Sequence, residues 1–419
     1  MSILIQNARI MDAGSSFHGQ TANVLVDDQG KIAQISQQSL QADETIDAQG
    51  MILTIGWFDL QANYCDPGLE HKEDLYSGRA VAQASGFTEV ALVPETEPVI
   101  QTKNDIRYIQ SGNRTALVQL HALGALTKGL KGEDFTEIND LHEAGAVGFS
   151  QGNKPLYNSD ILLKSLQYLQ KFDGILMNRP EDRWMSMFGL MHEGVESTIL
   201  GMKGIPSMAE ELMVIRDLKL LEYAGGKIHL SNISTKEAVA KIREAKAQGL
   251  KVSCDIAAHQ LCFTDEDLHT FDTNLKVFPP FRSKEHQEAL IAGLKDGTID
   301  AVVSAHQPQD QECKQLEFDL ADAGIAGQQT LLHSLLNSGL EMELWLEKLT
   351  IAPRELLRME VPSIAEGVQA NLTLFDPENK WTLDASTNQS KSENNPYWGQ
   401  ELTGRVKATF NNGQYHIEY

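Results

Sequence analysis

The sequence is poor in cysteine, in positive charge and in long apolar runs, and each shortage excludes a class of protein. Its four cysteines, Cys65, Cys254, Cys262 and Cys313, form no close CxxC pair. That argues against a disulfide framework and for free thiols in a reducing compartment, so a cytoplasmic location is expected. Lysine and arginine number 35 against 58 aspartates and glutamates, a formal charge of −23. An acidic surface of this kind excludes nucleic acid and anionic membranes as natural partners. No apolar run is long enough to span a bilayer, and the opening residues lack the basic start and long apolar core of a secretory signal. A P-loop and a GxGxxG after a strand are also absent, which removes two nucleotide-binding readings.

What is present has two rhythms. Near the N-terminus, residues 3–11 alternate like a strand, and Ala22 to Ile35 reads as a hairpin around Asp27-Asp28-Gln29-Gly30. Near the C-terminus, Ala370 to Phe375, Arg405 to Phe410 and Tyr415 to Tyr419 read as strands, the last two joined by Asn411-Asn412-Gly413. These ends predict one small β-sandwich domain from residues 1–50 plus 362–419. Between them, short β-branched apolar runs alternate with amphipathic helical stretches. The runs are Leu53–Leu60, Glu89–Val93, Ala116–Leu123, Ala146–Ser150, Gly174–Met177, Lys227–Leu230, Lys251–Ile256 and Ala301–Ser304. Helical patterns are clearest at Thr235–Gln248, Lys284–Lys295 and Ala209–Tyr223, with Thr235 as an N-cap. Eight strand–helix alternations predict an α/β fold, a (β/α)8 TIM-like barrel over residues 51–361. A doubly wound open sheet is the rival.

In such a barrel, chemistry sits where the strands end. Those ends carry Gln61 and Asn63, Glu95, His121, Gln151, Arg179 with Glu181, Asn232, Asp255 with His259, and Ala305 with His306. Zinc needs imidazole, thiolate or carboxylate ligands. Gln and Asn amides are weak substitutes, alanine offers nothing, and the Arg179 cation repels a dication. A relocated metal site would have to use His121, Asp255, His259 and His306, no two of which fall at HxH or HExxH spacing. Cys65 at the mouth of the first strand is a candidate nucleophile, with an inert buried thiol as the plainer reading. The methionines at 185, 187, 191, 202, 208 and 213 read as gap-filling packing or as an adaptable surface.

Taken together, Asp66-Pro67-Gly68-Leu69-Glu70-His71, Ser85-Gly86-Phe87-Thr88, Gly204-Ile205-Pro206-Ser207-Met208-Ala209-Glu210-Glu211 and Phe278-Pro279-Pro280-Phe281-Arg282-Ser283 carry a family likeness. In order and spacing the chain resembles the long bacterial dihydroorotases of the amidohydrolase superfamily. The resemblance implies a metal-dependent hydrolase barrel, zinc as cofactor, and hydrolysis of a cyclic amide in pyrimidine biosynthesis. It also places the family's functional residues. The metal positions fall on Gln61, Asn63, Gln151, Arg179 and Asn232, and the catalytic aspartate falls on Ala305. Of the substrate positions, the carboxylate-gripping arginine falls on Cys65 and two asparagines fall on Glu95 and Phe278. His259 and His306 stand in the same pocket.

Every matched ligand and proton-transfer position is therefore replaced. The expectation is a catalytically inactive dihydroorotase-like protein, without zinc, kept as a structural partner of aspartate carbamoyltransferase and itself homodimeric. The alternatives are an active amidohydrolase with a rebuilt site in which Arg179 substitutes for the lost cation, and a sensor that binds a metabolite without turnover.

Overall fold

A computed structural model describes residues 1–418. Eight parallel strands follow one another around a barrel: Trp57–Ala62, Phe87–Leu92, Gln119–Ala125, Gly148–Ser150, Leu176–Asn178, Ile228–Leu230, Val252–Ala257 and Ala301–Val303. Each expected run contains or overlaps one of them. The first and eighth strands meet through a parallel bridge between Ala62 and His306 and a 2.9 Å bond from Asn63 N to His306 O. That closure sets the structure apart from the open-sheet rival. Strands of such a barrel are covered on both faces, which is why they read as apolar runs with little alternation.

The helices that follow are set by local chemistry. Thr235 caps Lys236–Ala247 by accepting from Ala238 N, and Ala238, Val239 and Ile242 form the buried face. Asp74 and Ser77 form a reciprocal cap on Leu75–Ala84. Helices Met208–Ala224 and Lys284–Lys295 lie where the periodicity puts them. Among the described residues no helix is long and apolar enough to cross a membrane.

The two ends of the chain share one continuous mixed sheet. Its order is Gln414–Ile417, Glu401–Asn411, Leu372–Thr382, Ile52–Ile55, Ile3–Ile10, Thr21–Val26, Ile32–Ser36, with Glu44–Asp47 beside Ile3–Ile10. Apolar residues from all parts of it, among them Ile5, Val24, Leu53, Leu372, Leu374 and Phe410, gather in a single core. Tyr419, the last residue of the expected C-terminal strand, lies outside the described residues.

Two details depart from the expected layout. The run Leu53–Leu60 is two strands, because Gly56 lets the chain leave the terminal sheet for the barrel. A Cβ at Gly56 would lie 2.1 Å from Asn371 Oδ1 and 2.3 Å from the Thr88 side chain. The terminal sheet thus reaches Ile55, past residue 50. In addition, the segment 383–400 leaves that sheet and runs over the barrel. Ser392 Oγ donates to Lys72 O at 2.8 Å, and Asn394 Nδ2 to Gln307 O and Gly324 O at 3.0 Å each. Of the six methionines, Met191 is fully buried while Met187 and Met208 are exposed, so gap-filling applies to part of that segment only.

Candidate functional site

A cavity of about 30 Å³ opens at the C-terminal ends of the barrel strands. Gln61, Asn63, Asn232, His259, Phe278, Ala305 and His306 line it, together with Asn153, Gln307 and apolar groups such as Val93, Val277 and Ile325. None of the lining residues is lysine or arginine. The structure brings these seven expected residues together; Gln151, Arg179, Cys65 and Glu95 stand behind the wall.

The centre of the site is a hydrogen-bond network around Asp255, which is fully buried. Gln61 Nε2 donates to Asp255 Oδ2 at 2.8 Å, and Asn232 N donates to Asp255 Oδ1 at 2.6 Å. His229 Nε2 reaches Oδ2 at 2.8 Å, and its Nδ1 meets Ser253 Oγ at 2.8 Å. Because a carboxylate only accepts, Gln61 must present its amide nitrogen to Asp255 and its carbonyl elsewhere. Asn232 Nδ2 fills that place, 3.3 Å from Gln61 Oε1. A fully buried carboxylate is thus satisfied by amides and an imidazole.

Three of these positions keep a backbone that side chains rarely adopt: Cys65 at φ 59°, Asn232 at φ 52° and Ala305 at φ 47°. Asparagine tolerates this region; alanine and cysteine do so at a cost. The three left-handed residues follow the ends of the first, sixth and eighth barrel strands.

Arg179 is buried and doubly paired to Glu181, with Nη1 to Oε2 at 2.7 Å and Nη2 to Oε1 at 3.4 Å. Its Nε donates to Asn153 O at 2.7 Å. It therefore supports the cavity wall from outside. Gln151 accepts from Thr127 N and Oγ1 at 3.1 and 2.9 Å, which fixes the loop after the third strand. Glu95 is half-buried over Gly152, and burial pushes its carboxyl up against the opposing pull of the Asn153 amide, Lys154 and Arg179. The Cys65 thiol is pushed up to about 12, chiefly by burial, so it is an inert thiol at neutral pH. His306 accepts at Nδ1 from Gln328 N at 3.4 Å, and its Nε2 lies 3.6 Å from Glu73 Oε2. Its ring lines the cavity, and Nε2 is buried there without a hydrogen-bonded partner. His259 has no hydrogen-bonded partner at Nδ1, and burial pushes its ring down to about 4.

His121 does not belong to the mouth. It sits early in the third strand, 2.8 Å from Glu89 Oε2, and Glu89 in turn binds the buried Arg354. The strand continues past it to Ala125, so the residue expected at a strand end lies inside the strand. Two more polar residues inside barrel strands belong to this buried network. His229 is one. Asp59 is another: it accepts from Ser304 N at 3.1 Å, from Ser304 Oγ, and from Gln328 Nε2 at 2.9 Å, while burial pushes its carboxyl up. A polar residue alternating with apolar ones in a barrel strand was the available signal. The spacing Gly148-Phe149-Ser150-Gln151-Gly152 is that of a nucleophile elbow. Ser150 Oγ, however, accepts from Gly152 N at 2.9 Å, and among the described residues no histidine bonds it.

Zinc does not fit these residues. The five positions that the resemblance assigns to metal ligands offer neutral amides and one guanidinium, and the carboxylates beside them, Asp255 and Glu181, are already bound on both oxygens. Among the described residues no three His, Cys, Asp or Glu side chains converge as a metal site.

Comparison with known proteins gives a consistent family. Residues 50–238 match the dihydro-orotase-like family model, and residues 193–415 match the amidohydrolase family model. A dihydroorotase of Geobacter sp. (strain M21) is 38% identical over 99% of both chains, and one of Acetivibrio thermocellus is 37% identical over 98% of both. Among solved structures, the L-hydantoinase (dihydropyrimidinase) of Arthrobacter aurescens superposes with a TM-score of 0.85 at 24% identity, covering 99% of this chain and 96% of its own. The D-hydantoinase of Thermus sp. does so with a TM-score of 0.81 at 20% identity, covering 99% and 95%. These two share the fold. The identity to the curated relatives, carried over the whole length, shows that the chain belongs to the dihydroorotase family of amidohydrolases.

Proposed function

We propose that this chain is a catalytically silent member of its family, retained as a structural partner of aspartate carbamoyltransferase in pyrimidine biosynthesis. One observation carries the reading. Asp255 spends both carboxylate oxygens on Gln61, Asn232 and His229, so the buried carboxylate is not free to act as a base in the cavity. Ala305 supplies no proton acceptor. The cavity of about 30 Å³ is also far below the roughly 300–1,000 Å³ of ordinary ligand clefts. The homodimeric state and cytoplasmic location belong to the same proposal.

The test has two arms. Purified protein is assayed for cyclisation of carbamoyl aspartate with and without added zinc, and is mixed with the host's aspartate carbamoyltransferase for size-exclusion chromatography and light scattering. Absence of turnover together with a stable co-eluting complex is expected. Turnover that tracks bound zinc would falsify the silent reading, and separate elution at micromolar concentration removes the partner. The competing idea, an active amidohydrolase rebuilt around Arg179, would act through the charge pair that Arg179 makes with Glu181, and neither residue lines the cavity.

A further inference from the structure

The hydrogen-bond chain in the cavity has a direction, and it ends on an unused acceptor. Asp255 takes the amide of Gln61, and the Gln61 carbonyl takes the amide of Asn232. The Asn232 carbonyl is left with no donor although the residue is only 5% exposed. Each amide in such a chain is polarised by the next, so the negative charge of Asp255 strengthens Asn232 Oδ1 as an acceptor. Two more buried, unpartnered atoms, His259 Nδ1 and His306 Nε2, belong to residues lining the same cavity, 9% and 1% exposed. Leaving a buried acceptor unmet is unfavourable, and a donor entering the cavity relieves it.

The surroundings select the donor. No lysine or arginine lines the cavity, and Arg179 is spent on Glu181. Asp255 lies directly behind the amide chain, and Glu95 packs over the adjoining Gly152. The field therefore repels anions. The cavity, about 30 Å³, is small and suits a small head group. Apolar Val93, Val277 and Ile325 complete the wall, with Phe278 and Pro279 beside them.

We infer that this cavity is a binding site for a small nitrogen head group, an N–H donor of the primary amine or primary amide class, received by Asn232 Oδ1 and the His259 ring. It rests on the silent reading above and adds a ligand class to that same site. Burial keeps the His259 ring neutral, down to about 4, so it offers a lone pair across the physiological range.

The full-length protein is titrated with methylammonium chloride and with acetamide, following melting temperature and isothermal heat. Tetramethylammonium chloride, which has no N–H, and sodium acetate, an anion, serve as controls at matched ionic strength. The expected result is a saturable response to methylammonium, acetamide or both, and none to the controls. A response to methylammonium alone assigns an ammonium head group; a response to both assigns any N–H donor. Asn232→Gly removes the acceptor while suiting the left-handed backbone, and is expected to abolish the response. His259→Phe, a second variant in case the first is unstable, is expected to weaken it several-fold. No saturable response to either N–H probe, an unchanged response in Asn232→Gly, or a soaked crystal with only water at Asn232 Oδ1 each overturns the inference. Acetate release is followed in the same acetamide samples. Its appearance overturns the silent reading and leaves the site standing, whereas loss of binding does the reverse.

Discussion

Removing the Arg179 guanidinium is the sharpest stability test of the site. Its side chain and that of Glu181 are about nine-tenths buried and joined by two hydrogen bonds. Arg179→Ala leaves a buried carboxylate without a counter-charge and Asn153 O without its donor. Breaking a buried pair from one side costs about 3–5 kcal/mol. With an unfolding entropy of about 2.1 cal/mol/K per residue, a chain of this length has roughly 0.9 kcal/mol/K at its midpoint, so the melting temperature falls by about 3–6 °C. Replacing both partners by apolar groups of similar length removes the charge along with its mate. The double variant Arg179→Met, Glu181→Met is therefore expected within about 1 kcal/mol of the parent. Differential scanning calorimetry of the parent, both single variants and the double closes the cycle. A single variant that melts with the parent, or a double variant as weak as the single, refutes the pairing as the source of stability.

Other outcomes follow from the same geometry. Because amides occupy the ligand positions, dialysis against EDTA and then addition of zinc are expected to leave the melting temperature unchanged; a zinc-dependent rise of several degrees contradicts the donor chemistry. With its thiol at about 12, Cys65 is thiolate to only about one part in 10⁴ at pH 8; peptide mapping after iodoacetamide treatment of folded protein is expected to find it unmodified while unfolded protein labels fully. His259 titrates near 4 when folded against about 6.5 when unfolded. The unfolded chain therefore binds more protons between those values, and stability falls as pH drops through that window, by at most about 3 kcal/mol from this residue. The pH profile of His259→Phe is expected to be flatter there than the parent's, and parallel profiles count against a neutral buried ring.

Much of the fold could be read because barrel strands and amphipathic helices follow different periods. Thr235 with Ala238, Val239 and Ile242 marked a helix that the structure reproduces to within a residue. The break at Gly56 was hidden because both sides of it are buried: Ile52–Ile55 in one sheet, Trp57–Ala62 in the other. At the site, strand ends were legible as positions but not as directions. Gln61, Asn63, Asn232, His259, Phe278, Ala305 and His306 face one cavity, while Arg179 and Gln151 turn away because Glu181 and Thr127 offer better partners. His229 could not be paired with Asp255 from sequence, since their contact depends on the register of neighbouring strands, Ile228 opposite Val252.

The pairing of Ile52–Ile55 with Leu372–Thr382 has a consequence for the order of events during synthesis. The N-terminal strands leave the ribosome early, but their neighbour is encoded roughly 300 residues later, about 15–60 s at ordinary elongation rates. Throughout that interval Ile52–Ile55 is an unpaired apolar edge, the kind of edge that recruits strands from other nascent chains. The barrel can close before the terminal sheet does, yet the loops around its mouth gain their ties from Ser392 and Asn394 only at the end. Holding chaperones and slow codons upstream of residue 372 thus act on yield, and a ribosome stalled before that point leaves a barrel with an open flank.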